Sequence, residues 1–191
     1  MSVMFLEYLS DFFQYEFLRN ALIASLIVAT ITALFSPIIS LKKMEFIGDG
    51  TAHATFGGMA FGLLIGLDYK IMAIVTAVSF ALLISFFTKK RKVNENAMIG
   101  ILLPSFMAFG IICISFIKGY TPDIMSYLFG NILMVTVDDI LFLILITIIS
   151  FIFYVLFYKE ILFFAFDEKT SKLYKLPVNF IRISLLIGIS L

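Results

Sequence analysis

Long uncharged stretches dominate this chain of 191 residues and determine what it can fold into. A helix needs about 20 mainly apolar residues to cross a lipid bilayer. Five stretches without aspartate, glutamate, lysine or arginine come close to or exceed that length: residues 20–41, 50–67, 71–88, 96–117 and 140–158. We therefore expect an all-α integral membrane protein, a polytopic helical bundle with five complete transmembrane helices.

The composition excludes most other classes of protein. Hydrophobic residues make up 62% of the chain and charged residues 14%, whereas soluble domains have about 45–50% and about 25%. A cytosolic enzyme, a secreted domain and a disordered chain are all excluded, because too little polar surface is present. The net charge of +1 gives no reason to expect a nucleic-acid partner. Cys113 is the one cysteine, so no internal disulfide can form.

Three shorter segments complete the expected organisation. Residues 124–137 are uncharged but too few to span a bilayer, which favours a re-entrant or interfacial segment. Residues 1–16 are expected to be an external amphipathic segment and include most of an interfacial helix that leads into the first span. Nine residues follow Arg182, so a sixth helix starts near Pro177 and stops partway across. No linker divides residues 1–191, and we expect a single transmembrane domain.

The positive charges predict the orientation in the cell membrane. Cytoplasmic loops of membrane proteins are enriched in lysine and arginine. Alternate loops hold ten of the 14 basic residues and the opposite loops hold two, Lys70 and Lys118. The ten are Lys42, Lys43, Lys89, Lys90, Arg91, Lys92, Lys159, Lys169, Lys172 and Lys175. We therefore expect the N-terminus outside the cell, and no cleaved signal peptide, because the first 18 residues lack a basic start.

The second stretch carries a stripe of small residues. Positions four apart lie along one face of a helix, and small side chains there allow a second helix to approach closely in a membrane. The stripe predicts a helix at the centre of the bundle. Its members are Gly50, Ala54, Gly58, Gly62 and Gly66.

Asp49 and His53 lie one helical turn apart in the same stretch, and His53 is the only histidine in the chain. Ionisable groups inside a membrane usually face the bundle interior or a polar pathway. A carboxylate and an imidazole on one face suit a divalent transition metal such as zinc, manganese or iron(II). The alternative is that Asp49 caps the helix and forms a hydrogen bond with His53.

Four segments, in this order, resemble the zinc, manganese and iron permeases of ATP-binding-cassette (ABC) importers. The segment FIGDGTAHATFGGMAFGLLIG, residues 46–66, is similar to the signature of the family's second helix. Residues 96–102 resemble the start of its fourth helix, and residues 123–133 resemble its SYLFG segment. Residues 166–177 are similar to its cytoplasmic loop before the sixth helix. The resemblance covers nearly the whole chain, from Phe17 to Leu191.

This resemblance implies a permease subunit that passes a divalent metal ion inward. Asp49 and His53 would contact the transported ion, which is the only metal expected and is not a permanent cofactor. The implied partners are a cytoplasmic ABC ATPase, an external metal-binding protein, a second permease copy and the lipid bilayer. The chain has no G-x-x-x-x-G-K-[ST] loop, so ATP hydrolysis is expected on the separate subunit. Contact with that ATPase is expected at Phe166, Asp167, Lys169, Leu176 and Pro177.

Two departures from the family pattern keep other interpretations open. Family permeases continue beyond the sixth helix, whereas this chain is expected to be truncated within it. The family usually has proline and glutamate after the loop aspartate and glycine before Leu-Pro; here Glu168 and Lys169 follow the aspartate, and Lys175 precedes Leu176. One alternative is a truncated, non-transporting or regulatory membrane subunit. Another is an intramembrane enzyme that uses Asp49 and His53 as an acid/base pair.

Overall fold

The computed structural model describes residues 14–91, 94–117 and 130–191, with the backbone alone at positions 90, 91, 169 and 172. Every regular element in these ranges is helical. The chain divides into two compact units. The first contains residues up to Leu34 together with Phe129–Leu156, and the second contains Phe35–Leu128 and Phe157–Leu191.

The first unit contains most of α1 (Glu16–Lys42), a short 3-10 helix (Ile132–Met134) and α5 (Val137–Leu156). The buried Asn20 side chain donates a hydrogen bond to the Val135 carbonyl oxygen over 3.4 Å. At the start of α5, the Thr136 hydroxyl donates to Asp139 Oδ2 over 2.7 Å, and the Asp139 N–H donates back to that hydroxyl over 3.3 Å. This reciprocal capping satisfies backbone donors that the first turn of a helix otherwise leaves unpaired.

The second unit contains the end of α1 and six further helices. They are α2 (Ile47–Ile65), α3 (Tyr69–Arg91), α4 (Glu95–Phe116), α6 (Tyr158–Phe166), α7 (Glu168–Leu173) and α8 (Val178–Ser190). The α2 helix packs against both α3 and α4, and α8 packs against α2 and α3. Their shared core includes Ile47, Phe80, Ile84, Ile99 and Leu186.

Four helices among the described residues are long and apolar enough to cross a membrane: α1, residues 69–89 of α3, α4 and α5. The prediction of a helical membrane protein is confirmed, whereas the count of five complete spans is not. The α2 helix is absent from this group because its glycines, Asp49 and His53 reduce its apolar character. It need not be strongly apolar itself, because nine of its 19 residues are buried. Residues 1–13, which include most of the expected interfacial helix, and residues 124–129 of segment 124–137 lie outside the described residues. The described remainder, residues 130–137, contains the 3-10 helix and the first residue of α5.

Three helices end within the second unit in the same way, because each is followed by one residue in the left-handed conformation. At the end of α2 that residue is Gly66, with φ of 75°, and the Leu67 N–H bonds to the Gly62 carbonyl oxygen over 2.9 Å. Lys43 after α1 and Lys175 after α7 have φ of 55° and 57°. Glycine has the lowest cost in this conformation. Lys175 therefore adopts a conformation that glycine would favour.

The loops that carry the clustered positive charges meet at one end of the second unit. The Asn96 side chain, at the start of α4, donates to the Lys43 carbonyl oxygen over 2.7 Å and to Glu45 Oε2 over 3.2 Å. Lys42 Nζ lies 3.8 Å from Glu168 Oε2 at the start of α7. The turn after α1, the start of α4 and the α6–α7 segment therefore lie together, as expected for loops on one side of a membrane.

Candidate functional site

Asp49 and His53 lie in the first two turns of α2 and point toward each other. His53 Nε2 is 3.3 Å from Asp49 Oδ1. The Asp49 side chain is 66% exposed and the His53 side chain 27%, so the pair lies at the edge of the second unit. A carboxylate in the first turn also interacts favourably with the positive end of the helix dipole. The structure thus places the two residues together, as expected for either a shared cation or a hydrogen bond.

The second nitrogen of His53 has no partner among the described residues. Its Nδ1 atom is buried, and nothing within the described ranges forms a hydrogen bond with it. The same ranges contain no group of three or more histidine, cysteine, aspartate or glutamate side chains that could enclose a metal ion. Asp49 and His53 therefore provide two ligand atoms and no more within this part of the chain. Cys113 is buried in α4 and belongs to no such group.

The small residues of α2 lie against α3 and α4. A Cβ atom added to Gly50 would lie 2.5 Å from the Ile99 side chain, and one added to Gly58 would overlap the Thr76 hydroxyl. Ala54 is completely buried. A Cβ atom on Gly62 would lie 2.8 Å from the Met72 side chain. Four members of the predicted stripe therefore occupy positions where only a very small side chain fits between the helices.

Gly66, the fifth member of the stripe, does not lie between helices. It is exposed, and nothing lies within 4 Å of an added Cβ atom. Its left-handed conformation ends α2, so the period of four continues past the last residue of the helix. Conversely, the stripe omits Gly57, which meets Phe106 and Gly110 of α4. The isolated Gly110 in an otherwise bulky apolar stretch was the sequence signal for this close approach.

The residues expected to contact an ATPase lie in and after α6 and α7. The Phe166 side chain is 74% exposed, and Asp167 caps α7 by accepting hydrogen bonds from the Thr170 N–H and hydroxyl. Leu176 is half-buried and Pro177 precedes α8. The Lys169 side chain lies outside the described set. Three further exposed side chains lie nearby: Phe163, Leu173 and Tyr174.

Comparisons with known proteins identify the family of this chain. The chain matches the model of the ABC 3 transport family over residues 14–191. It is 41% identical over 177 residues to a probable metal transport system membrane protein of Thermotoga maritima, covering 93% of this chain. It is 36% identical over 184 residues to the manganese transport system membrane protein MntC of Listeria monocytogenes, covering 96%.

A solved structure has the same fold. It is PsaBC from Streptococcus pneumoniae in complex with Fab, with a TM-score of 0.74 and 30% sequence identity; the match covers 97% of this chain and 68% of that one. The chain spans 62% of the length of the Thermotoga relative and 65% of the Listeria relative. The resemblance in the four sequence segments is confirmed over almost the entire chain, and this protein belongs to the ABC 3 transport family.

Proposed function

We propose that this chain forms part of the transmembrane permease subunit of an ABC importer for a divalent transition metal ion. The observation that carries the proposal is the Asp49–His53 pair, in a chain that matches the family from residue 14 to residue 191. Manganese is the first candidate among manganese, zinc and iron. Relatives named as manganese transport proteins come from Listeria monocytogenes and Streptococcus gordonii, at 36% and 30% identity.

The spacing of the pair suits one shared cation. Ligand atoms about 2.0–2.2 Å from a tetrahedral or octahedral ion lie about 3.0–3.5 Å apart. The separation of 3.3 Å between His53 Nε2 and Asp49 Oδ1 falls in that range. Waters or a second permease copy would supply the remaining ligands. An incomplete site is appropriate for transport, because the ion must enter and also leave.

We also propose the orientation and the number of spans. The ten-to-two distribution of lysine and arginine supports a cytoplasmic location for the loops at Lys42, Lys89 and residues 159–177, with the N-terminus outside. The α2 helix would be the fifth complete span, surrounded by protein rather than lipid, and α8 the beginning of a sixth. In this orientation Asp49 and His53 lie in the cytoplasmic half of α2.

The proposed complex has further subunits. A separate cytoplasmic ATPase would hydrolyse ATP and dock on α6 and α7, where the exposed side chains of Phe163, Phe166, Leu173 and Tyr174 provide apolar contacts. An external binding protein would deliver the ion, and a second permease copy would enclose the pathway.

Metal uptake tests this function. The full-length permease, its ATPase and its binding protein are produced in cells that lack their own manganese importer, and accumulation of radioactive manganese is measured. We expect ATP-dependent uptake that unlabelled manganese competes away more effectively than zinc or iron. Uptake no greater than in cells without the permease contradicts the proposal. If zinc or iron competes more effectively than manganese, the chain is still a metal permease, but its transported ion is zinc or iron.

A further inference from the structure

A partly buried ionic cluster connects the α6–α7 segment to the ends of two other helices. The Glu168 carboxylate, in the first turn of α7, accepts a hydrogen bond from the Arg182 guanidinium of α8. The same oxygen lies 3.8 Å from Lys42 Nζ, at the last residue of α1. Lys42 also lies over the Phe164 ring of α6, with Nζ 3.7 Å from its centroid. One carboxylate therefore joins three helices, α1, α7 and α8.

The cluster is shielded from water. The side chains of Lys42, Glu168 and Arg182 are 17%, 24% and 14% exposed, respectively. Arg182 Nε is buried without a hydrogen-bond partner among the described residues. Compensation of the Arg182 charge therefore depends strongly on the Glu168 carboxylate. Shielded charge-assisted hydrogen bonds are stronger and geometrically stricter than those at a surface. Removing one partner leaves a shielded charge uncompensated.

Lys42 also lies directly before the metal site along the chain. It ends α1, Lys43 turns the chain in the left-handed conformation, and α2 begins at Ile47 with Asp49 in its first turn. The Asn96 hydrogen bonds described above hold this turn against α4. A displacement of Glu168 would therefore reach the first turn of α2 through a short and well-anchored segment.

We propose that Glu168 is a positioning residue that transmits movement of the α6–α7 segment to the ends of α1 and α8 and so to the Asp49–His53 pair. This inference rests on the proposed function, because it assigns the moving partner as the ATPase docked on α6 and α7. Glu168 touches neither ATP nor metal. Its role is to make the docking segment and the start of α2 move together.

The test measures how much metal is transported for each ATP hydrolysed. The full-length permease and its ATPase are reconstituted in liposomes, and manganese uptake and ATP hydrolysis are recorded together. Glu168→Gln keeps the shape of the side chain and removes its charge, while Asp138→Asn in the first turn of α5, outside the docking segment, is the matched control. We expect Glu168→Gln to lower the number of ions transported per ATP severalfold. ATP hydrolysis and the amount of assembled complex should stay unchanged, and Asp138→Asn should resemble the wild type.

A second measurement is independent of metal transport. A cysteine replaces the exposed Ser40 near the end of α1, in a Cys113→Ala background, and its reaction with a thiol reagent is followed with and without ATP. We expect ATP to change this rate in the otherwise unmodified complex and to have no effect with Glu168→Gln. If the wild-type complex transports no metal, the proposed function fails, while this measurement still tests the role of Glu168.

The proposal is overturned if Glu168→Gln keeps both the normal ratio of ions to ATP and the normal ATP response at position 40. The proposal is also overturned if Glu168→Gln lowers metal uptake only as much as it lowers the amount of assembled complex. In that case the ion cluster stabilises the complex but does not couple its movements. If Glu168→Gln does not assemble, Lys42→Gln replaces it, because Arg182 and Glu168 then remain paired. A normal ratio of ions to ATP and a normal ATP response at position 40 in the Lys42→Gln variant would equally contradict the proposal.

Discussion

Gly57 of α2 and Gly110 of α4 face each other where the two helices cross. A Cβ atom on Gly110 would lie 2.9 Å from the Cα atom of Gly57, and a Cβ atom on Gly57 would overlap the Phe106 carbonyl oxygen. Since backbone cannot move aside as a flexible side chain can, this contact sets the distance between the helices. It also determines where α2 places Asp49 and His53.

Substitution at this crossing should destabilise the protein. Gly57→Ala or Gly110→Ala forces the two helices apart, and overpacking of this kind costs about 1–3 kcal/mol. The control is Gly100→Ala in α4, where nothing lies within 4 Å of the added Cβ atom; alanine in place of an exposed helical glycine should stabilise by about 0.5–1 kcal/mol. Thermal unfolding in detergent measures both effects. Equal stability of the Gly57→Ala and Gly100→Ala variants would show that the crossing is not tight.

Lys175→Gly should stabilise the protein. Lys175 has φ of 57°, and a non-glycine residue in the left-handed region costs about 1–2 kcal/mol. The control is Leu173→Gly in the last turn of α7, where glycine should destabilise by about 0.5–1 kcal/mol. Melting temperatures of the two variants should therefore move in opposite directions. A decrease in both would contradict the left-handed conformation at position 175.

The turn between α1 and α2 should respond to acid through Glu45. Hydrogen bonds from the Glu45 backbone N–H and from the Asn96 side chain hold the pKa of the Glu45 carboxyl below its usual range. A carboxyl whose pKa falls on folding stabilises the folded state above its unfolded pKa of about 4.3 and loses that contribution as pH falls through the lower folded value. Acid should therefore weaken this turn.

The titration of Glu45 can be followed directly through the NMR shift of its carboxyl carbon. We expect Asn96→Ala to bring the pKa of Glu45 closer to its usual value, because one of the two hydrogen bonds is lost. Asn94→Ala, which removes the neighbouring helix cap but no contact to Glu45, is the control. An identical titration in the wild type and in Asn96→Ala would contradict the hydrogen bond.

Phe166 should contribute strongly to ATPase binding. Its side chain is 74% exposed at the end of α6, and a buried aromatic anchor commonly contributes about 2 kcal/mol or more at an interface. Phe166→Ala should therefore weaken copurification of the ATPase by about 30-fold in affinity. Phe116→Ala, at the other end of the second unit and 68% exposed, should have no effect. If the ATPase copurifies equally with both variants, it docks elsewhere.

The sequence predicted those features that depend on local composition. The charge-free stretches 20–41, 71–88, 96–117 and 140–158 each fall within one helix or extend one or two residues past its end, because charged side chains avoid the bilayer. A spacing of four along a helix also brought Asp49 and His53 together. The end of α2 at Gly66 was missed, because the period of small residues does not reveal where the hydrogen-bonded helix stops.

Contacts between distant segments could not be predicted in this way. Nothing near Glu168 in the sequence indicates that Lys42 and Arg182 share its carboxylate, since that contact exists only after three helices have packed. The same holds for Asn96 and the turn at Lys43. For Gly57 and Gly110, the sequence showed only that both residues are small. It did not show that they contact each other.

The most direct measurement of the central claim is manganese uptake by the full-length permease complex carrying His53→Ala or Asp49→Asn. Each substitution removes one of two ligand atoms that lie 3.3 Å apart. Asp68→Asn is the control, because Asp68 is also a carboxylate at a helix start but bonds to the backbone of Lys70 and Ile71. We predict that both site variants lose uptake at wild-type membrane expression and unchanged ATPase binding, while Asp68→Asn retains it. Wild-type uptake in both His53→Ala and Asp49→Asn would show that the pair is structural and would contradict the metal assignment.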